Sequence, residues 1–364
     1  MSSNSNKVLY LPSTPLNVLL SCAIAIHRQE NSGCHEVSQL WLIDQKNTTD
    51  NPYFKALQKW QKSPFDTIKI FSGGSKTQNK LAQRQEIFSS IAKGIKAFLP
   101  TEVAVGSDRR IEFQYVMHLL QVKGQSAKGL YLDDGLYSYA GRPHHFLKDG
   151  INAILKKFVY GSWWQEPKTV GSSSWIDQAW LFAPEQAIEL LKQKALVTIK
   201  ADWFKNEAIT ELSHLVALQL KYDISHLHAL DTVLLIPHPN NVKKMQGYKT
   251  RIQNLIAKLH QQGKKIGVKY HPRAEGDDEL DLRAFGATEI IPAQLAFEFC
   301  LPLFSSRCKV VGDIGTALLT CKWLRPELIV FANLDENDSF QKKFISISHA
   351  MGIKVNNQIE DAVE

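Results

Sequence analysis

The sequence has no long apolar run, no clustered cysteines and no internal repeat. The apolar stretch at residues 18–26 is too short to span a bilayer, and the polar start, residues 1–6, lacks the basic region of a signal peptide. The five cysteines lack the close spacing of a zinc site, and their odd number fits a disulfide framework poorly. These absences predict a cytoplasmic protein with reduced thiols and without a targeting or membrane-spanning segment.

The composition is that of a folded, basic protein. A hydrophobic fraction of 44% and a charged fraction of 22% are close to the averages of soluble globular proteins. At 364 residues the chain exceeds what one hydrophobic core serves, so we expect two domains. The formal net charge of +7 favours acidic partners such as nucleotides, anionic glycans or an anionic membrane surface. Lysine and arginine do not cluster with aromatic residues, so we do not expect nucleic acid as a partner.

Short β-rich runs alternate with helical periodicity along the chain, which predicts parallel sheets with helical crossovers. In the first half we predict strands at residues 8–11, 39–43, 67–71, 102–105 and 129–132, and helices at 16–28, 78–98, 111–122, 184–196 and 208–220. In the second half we predict strands at 232–236, 265–270, 309–311 and 328–331, and helices at 245–262 and 317–323.

This alternation predicts an α/β fold with two Rossmann-like domains facing each other across a cleft. We place the first domain at residues 1–225 and the second at 226–340. Residues 341–364 form a polar tail that could pack back on the first domain. Ligands are expected at the carboxyl ends of the strands.

An acidic pair follows a predicted strand of the first domain. Asp133 and Asp134 come directly after residues 129–132, and Gly135 allows a sharp turn. Two adjacent carboxylates repel each other, which can raise the proton affinity of one and suit it to act as a base. An ordinary acidic turn is the structural alternative.

A basic cluster around a His-Pro dipeptide follows a predicted strand of the second domain, in the order Lys269, Tyr270, His271, Pro272, Arg273. Strand alternation puts Lys269 and His271 on one face, and Pro272 ends the strand. The imidazole could donate a hydrogen bond or a proton to a phosphate oxygen, with the basic side chains holding its charge. A capping or core histidine is the alternative.

Further segments are more ambiguous. His238 also precedes a proline after a strand, but it lacks basic neighbours, so we interpret it as structural. The small-residue loop at 312–316 precedes a helix, whose amides and Thr316 hydroxyl could bind an anion, although Asp313 would repel one. His144 and His145 point apart on an extended chain, which indicates a loop that could contact an acidic acceptor and not a metal site.

Three tryptophans lie in or directly after a loop predicted at residues 163–174. Trp163, Trp164 and Trp175 could either stack on sugar faces or anchor this loop by burial.

In this order, the acidic pair with glycine, the Lys-x-His-Pro-Arg segment and the Gly/Thr loop resemble the motifs of bacterial sialyltransferases, including lipooligosaccharide sialyltransferases and capsular polysialyltransferases. The segment 13–17 resembles their Ser/Thr-Pro-Leu-Gln turn, with Asn17 in place of glutamine. Ile291-Pro292 is similar to the Ile-Pro that lines their cytosine pocket. The sequence departs from the family at Gly315-Thr316, where a Ser-Ser or Ser-Thr pair is usual, and at Gln294, where glutamate is common.

The resemblance implies a GT-B fold and an inverting, metal-independent glycosyltransferase without a cofactor. It would transfer sialic acid or a related nonulosonic acid from a CMP-activated donor to a bacterial surface glycan, such as capsule or lipooligosaccharide. The donor would bind mostly in the second domain and the acceptor mostly in the first. Since such acceptors are often lipid-linked, we expect peripheral association with the inner membrane.

The resemblance also implies roles for individual residues. Asp133 is expected to be the general base, supported by Asp134 and Gly135, and His271 the general acid or hydrogen-bond donor. The expected CMP-binding residues are Lys269, Pro272, Arg273, Ile291, Pro292, Gly315 and Thr316. The expected contacts to the acceptor or the donor sugar are Thr14, Asn17, Arg142 and His144.

Three other functions remain compatible with these residues. A transferase could use CMP-Kdo, another could use a UDP-sugar, and a non-enzymatic module could bind anions or glycans. Binding of CMP but not UDP would exclude the second. Full activity without the Asp133 carboxylate would favour the third, because a binding module needs no base.

Overall fold

The computed structural model describes residues 6–31, 36–73, 80–142, 146–313, 315–335 and 337–356. The chain divides into two compact units, Met1–Ile199 and Lys200–Glu364. Each unit contains one β-sheet, and every strand pair in both sheets is parallel. The predicted fold class, two parallel α/β domains, is therefore confirmed.

Within the described residues, the sheet of the first unit has seven strands. They are β1 (Asn6–Leu11), β2 (Glu36–Gln45), β3 (Thr67–Ser72), β4 (Glu102–Val105), β5 (Lys128–Leu132), β6 (Gln178–Leu181) and β7 (Ala195–Thr198). Their order in space is β3-β2-β1-β4-β5-β6-β7. The helices are α1 (Pro15–Asn31), α2 (Pro52–Lys59), α3 (Lys80–Phe98), α4 (Ile111–Val122), α5 (Tyr137–Ala140), α6 (Phe146–Tyr160) and α7 (Glu189–Lys192), with a 3-10 helix at Pro184–Gln186.

Local sequence explains these elements. Residues 8–11 of β1 are a continuous buried apolar run, as expected of a parallel strand whose two faces are both covered. Helix α2 begins after Asn51, whose side-chain oxygen accepts a hydrogen bond from the Phe54 amide at 2.9 Å, and Pro52 occupies the first turn. The core is formed by side chains of neighbouring strands, such as Leu9 and Trp41, together with Ile95 of α3.

In the part of the second unit that the structure describes, the sheet has six strands. They are β8 (Thr232–Leu235), β9 (Ile266–Lys269), β10 (Glu289–Ile291), β11 (Lys309–Gly312), β12 (Ile329–Asn333) and β13 (Lys354–Asn356), in the spatial order β10-β9-β8-β11-β12-β13. The helices are α8 (Glu207–Gln219), α9 (Pro239–Val242), α10 (Tyr248–Gln261), α11 (Phe297–Cys300), α12 (Thr316–Leu324) and α13 (Ser339–Ala350), with 3-10 helices at Ala201–Lys205, Ile224–Ala229, Leu282–Phe285 and Leu301–Leu303.

Helix α10 shows how the second core forms. Its apolar residues Ile252, Leu255, Ile256 and Leu259 recur at helical spacing and are all buried. They pack in one cluster with strand residues such as Val268. This inward-facing stripe is the usual arrangement of a surface helix.

The prediction of one helix at residues 184–196 is wrong. The segment contains the 3-10 helix Pro184–Gln186, the single turn α7 and the edge strand β7, on which Leu196 is 38% exposed. Its apparent helical periodicity therefore came from three short elements in succession.

The unit boundary predicted at 225/226 lies at 199/200 in the structure. Helix α8 packs against α11 and the 3-10 helix Leu301–Leu303, so it belongs to the second unit. The predicted tail is also part of this unit as far as it is described. Residues 341–350 belong to α13 and residues 354–356 to β13, which pairs with β12. Residues 357–364 lie outside the described residues.

The strand order of each sheet reverses next to its first strand. β1 lies between β2 and β4, and β8 lies between β9 and β11. Parallel sheets bind ligands at the carboxyl ends of strands beside such a reversal. Ligand-binding residues are therefore expected in the segments that follow β1 and β4, with the neighbouring β5, and in those that follow β8 and β11, with the neighbouring β9.

Two findings concern the helices and the cysteines of the described residues. No helix in the described part of the sequence is long and apolar enough to cross a membrane. Cys22, Cys300, Cys308 and Cys321 are buried free thiols, and Cys34 lies outside the described residues.

Candidate functional site

The first group of functional residues follows β5. Asp133 is fully buried, and its carboxylate accepts hydrogen bonds from the Gly135 amide at 3.0 Å and the Ser138 hydroxyl at 2.8 Å. It also accepts from the Tyr139 hydroxyl and, at 3.2 Å, from the Phe182 amide. Burial raises the pKa of Asp133 to about 6, against the lowering effect of these donors. With four donors around it, this carboxylate fixes the turn and is poorly placed to reach a ligand.

Asp134 has a different environment. The residue is partly exposed, and among the described residues the one hydrogen-bond partner of its carboxyl is the Asn17 side-chain amide, 3.2 Å from Oδ1. Burial raises the pKa of Asp134 to about 7, while the Asn17 hydrogen bond and the Arg110 charge lower it. The charge of Asp133 also raises this pKa, but less than burial does. Asp134 thus has the accessibility and proton affinity of a base that works near neutral pH.

Asn17 holds Asp134 from the start of α1. Its backbone amide donates to the Thr14 hydroxyl at 3.3 Å, and its side chain is completely buried. Gly106, which follows β4, makes this position possible: a Cβ there would lie 2.1 Å from the Asn17 side-chain nitrogen. Three strand ends beside the order reversal, those of β1, β4 and β5, therefore meet at the Asn17–Asp134 pair.

Sequence inspection missed a cation close to this pair. Arg110 precedes α4, donates from Nε to the Ser13 hydroxyl at 3.1 Å and forms an ion pair with Asp44. Asp44 has a positive φ of 56°, an uncommon conformation for a residue with a side chain. The positive charge of Arg110 near the Asp134 carboxyl could also bind an acidic ligand. No motif in the sequence singled out Arg110.

The second group of residues follows β9. His271 is half-buried, and its Nδ1 accepts a hydrogen bond from the Arg273 amide at 3.1 Å. Burial, followed by the positive charges nearby, lowers the pKa of His271 to about 4. At neutral pH the imidazole is therefore neutral with its hydrogen on Nε2. This arrangement offers a hydrogen-bond donor and not a ready general acid.

His238, interpreted from the sequence as structural, lies directly beside His271. The two rings are 4.7 Å apart and inclined by 53°. The Nδ1 of His238 accepts a hydrogen bond from the Asn240 amide at 3.0 Å. His271 makes the equivalent contact, since each imidazole accepts from the backbone amide two residues further along the chain. The signal for this pair was present in the sequence, since adjacent strands β8 and β9 are both followed by His-Pro.

Lys269 does not have the phosphate-facing position expected of it. Its ammonium is buried and donates to the carbonyls of Tyr270 at 2.7 Å and Ala293 at 3.1 Å. Burial lowers its pKa to about 8. Because Ala293 directly follows Ile291 and Pro292, Lys269 ties the His-Pro turn to the Ile-Pro segment instead of contacting a ligand.

The third strand end of the second unit is that of β11. Asp313 accepts hydrogen bonds from the Tyr248 hydroxyl at 3.3 Å and the Asn333 amide at 3.0 Å, and burial raises its pKa. It lines a cavity of about 490 Å³ that also includes Arg251. The space beside Gly315 is open, and Thr316 begins α12. An anion could therefore approach the amides at the start of α12.

The remaining predicted site residues differ in their exposure. Arg142 is partly exposed after α5, Pro272 and Arg273 are exposed, and His144 lies outside the described residues. Trp164 is buried under the Lys156 ammonium, consistent with anchoring of the 163–174 loop. The described residues contain no cluster of three or more histidines, cysteines or carboxylates that could hold a metal.

Comparison with known proteins bears on the fold. No model of a protein family matches the sequence, and a search of curated proteins finds no match. Among solved structures, the α/β-galactoside α-2,3-sialyltransferase of Photobacterium phosphoreum matches with a TM-score of 0.59 at 14% identity, covering 97% of this chain and 99% of that one. The chain has the GT-B fold.

Structures of another activity match over similar lengths. The UDP-GlcNAc 2-epimerase of Methanocaldococcus jannaschii has a TM-score of 0.53 at 13% identity, covering 98% of this chain and 91% of that chain. The enzyme of Neisseria meningitidis, bound to UDP-GlcNAc, has a TM-score of 0.51 at 13% identity, covering 98% and 97%. At such identities the likeness establishes the GT-B fold of two Rossmann-like domains and leaves the activity to be argued from the residues.

Proposed function

We propose that this chain is an inverting glycosyltransferase that transfers a nonulosonic acid, such as sialic acid, from a CMP-activated donor to a surface-glycan acceptor without a metal ion. The observation that carries the proposal is Asp134, a partly exposed residue at the strand-order reversal of the first sheet, whose carboxyl has a pKa raised to about 7. The full-length likeness to a sialyltransferase supports it at the level of the fold.

In this proposal Asp134 is the general base. An acceptor hydroxyl loses its proton to the Asp134 carboxylate as its oxygen attacks the anomeric carbon, and the bond from that carbon to the CMP phosphate breaks. Attack from the side opposite the leaving group inverts the anomeric centre. Asp133, to which the sequence assigned this role, instead holds the turn that presents Asp134, and Asn17 orients the carboxyl.

The second unit supplies the groups that receive the leaving CMP. Negative charge grows on the phosphate oxygen, and the Nε2 hydrogens of His271 and His238 can donate to it. The amides at the start of α12, with Thr316, offer further donors. A bound phosphate would raise the pKa of His271, since an opposite charge favours the protonated form.

Release of CMP from CMP-Neu5Ac, CMP-legionaminate, CMP-pseudaminate and CMP-Kdo, measured in EDTA with purified protein, tests this assignment. We expect turnover of one donor, a loss of about 100-fold in His271→Ala and of about 10-fold in His238→Ala. His228→Ala, at an exposed histidine of the 3-10 helix Ile224–Ala229, is the matched control and should behave as wild type. Turnover that requires an added metal, or no CMP donor bound at all, would contradict the proposal.

A UDP-sugar is the second candidate donor, and one observation favours it. Two imidazoles with rings 4.7 Å apart could each donate to one phosphate of a diphosphate. The fold likeness to UDP-GlcNAc 2-epimerases is compatible with this alternative. UDP-GlcNAc belongs in the same assay, and its turnover in place of every CMP-sugar would select this candidate.

A further inference from the structure

Helix α6 exposes an apolar face to solvent. Of its large apolar side chains, five are more than half exposed, at 60%, 69%, 58%, 94% and 53%. Together they make the α6 apolar face, which consists of Ile151, Ile154, Leu155, Phe158 and Val159. Single exposed apolar residues are common, but a contiguous group of this kind marks an interaction surface.

The face is oriented opposite to that of a normal surface helix. Ile151, Ile154, Leu155 and Phe158 have the same spacing as the four buried residues of α10, yet they point outward. With Val159 they cover an arc of about 140° at 100° per residue. The inner side of α6 holds partly buried residues, including Tyr160, whose ring lies 6.4 Å from that of Trp164.

Lysines border the apolar arc on both sides. Lys157 is exposed at one edge, and Lys156 at the other bonds Glu166 at 2.9 Å. Lys168, two residues beyond Glu166, is also exposed. An apolar arc between cations fits a surface that is apolar below and anionic above, which is the chemistry of a bilayer with acidic headgroups. The formal charge of +7 adds long-range attraction to the same surface.

We propose that α6 is an interfacial helix that docks this protein on an anionic membrane, with the α6 apolar face inserted among the lipid chains and Lys157 and Lys168 at the headgroups. The helix follows the turn of Asp134 along the chain. If the proposed function holds, this docking brings the base to acceptors that are attached to lipid.

Sedimentation with vesicles tests the docking separately from the chemistry. The wild-type protein should co-sediment with vesicles of equal parts phosphatidylglycerol and phosphatidylcholine. A much smaller fraction of the protein should co-sediment with vesicles of phosphatidylcholine alone. The double variant Ile154→Glu/Phe158→Glu should bind at least about tenfold more weakly. Leu218→Glu, at a residue of α8 that is 65% exposed, is the matched control and should bind as wild type.

The outcomes distinguish this proposal from its alternatives. Wild-type protein that stays in solution, or a double variant that still binds the vesicles, overturns it. A wild type that self-associates in solution while the double variant is monomeric also overturns it, because a second copy would then cover the face. CMP release from a soluble donor should be equal in wild type and double variant; its absence in both would refute the proposed function and leave the docking result intact.

Discussion

Burial has opposite chemical effects in the two units. At the strand ends of the first unit, burial raises the pKa of Asp134 to about 7. At the strand ends of the second unit, burial lowers the pKa of His271 to about 4. Both shifts have the same largest cause, since a low-dielectric environment disfavours the charged form of either group. The carboxyl becomes able to take up a proton at neutral pH, whereas the imidazole stays neutral and offers a hydrogen. The difference shows that desolvation, more than the repulsion of adjacent carboxylates, sets the chemistry of these sites.

A second contrast lies within the acidic pair. Asp133 and Asp134 are neighbours in sequence, but four groups donate to the Asp133 carboxylate, whereas the Asp134 carboxyl has one hydrogen-bond partner among the described residues. The first therefore stabilises the fold of the turn and the second can contact a ligand. Substitutions can separate these two roles because they predict different measurements.

The largest effect is expected from Asp134→Asn. The amide keeps the size of the side chain but cannot accept a proton, so kcat for transfer should fall by about 100- to 10,000-fold. Steady-state kinetics with a saturating CMP donor would measure this loss, and the thermal unfolding temperature should stay close to that of wild type. Glu185→Gln, at an exposed carboxylate of the 3-10 helix Pro184–Gln186, is the control and should keep full activity. Retention of most of the activity in Asp134→Asn would refute its role as base.

A smaller effect, on stability, should come from Asp133→Ala. The change leaves the Gly135 and Phe182 amides and two hydroxyls without their buried acceptor. We expect the free energy of unfolding to decrease by at least about 2 kcal/mol. Urea denaturation of both alanine variants would measure it, with Asp134→Ala decreasing stability by less than about 1 kcal/mol. Equal losses in the two variants would show that the pair is not divided in this way.

Much of the fold followed from the sequence because apolar periodicity is local. Strand β4 and helix α4 were predicted at their observed bounds, and β8, β9, β11 and α12 to within a few residues. The elements that were missed include α6, whose apolar residues face solvent, the helix α2, and the short strands β6, β7 and β10. The polar composition after residue 335 concealed α13 and β13.

The site was predictable only in part. The motifs located Asp134 and His271, but the division of labour between Asp133 and Asp134 depends on donors such as the Phe182 amide, 49 positions away along the chain. Likewise, the contact of Lys269 with the Ala293 carbonyl requires the fold to bring two strand ends together. Motifs identify residue types at strand ends, whereas tertiary contacts decide which side chains remain available.

The pH dependence of kcat/KM for transfer tests the central claim most directly. Because the base must be ionised, and its raised pKa is about 7, the rate should fall about tenfold for each pH unit below 7 and level off above it. This acidic limb should be absent from the residual activity of Asp134→Asn. A wild-type profile that is flat between about pH 5 and 8, or an acidic limb that persists in the variant, would contradict the assignment of Asp134 as the base.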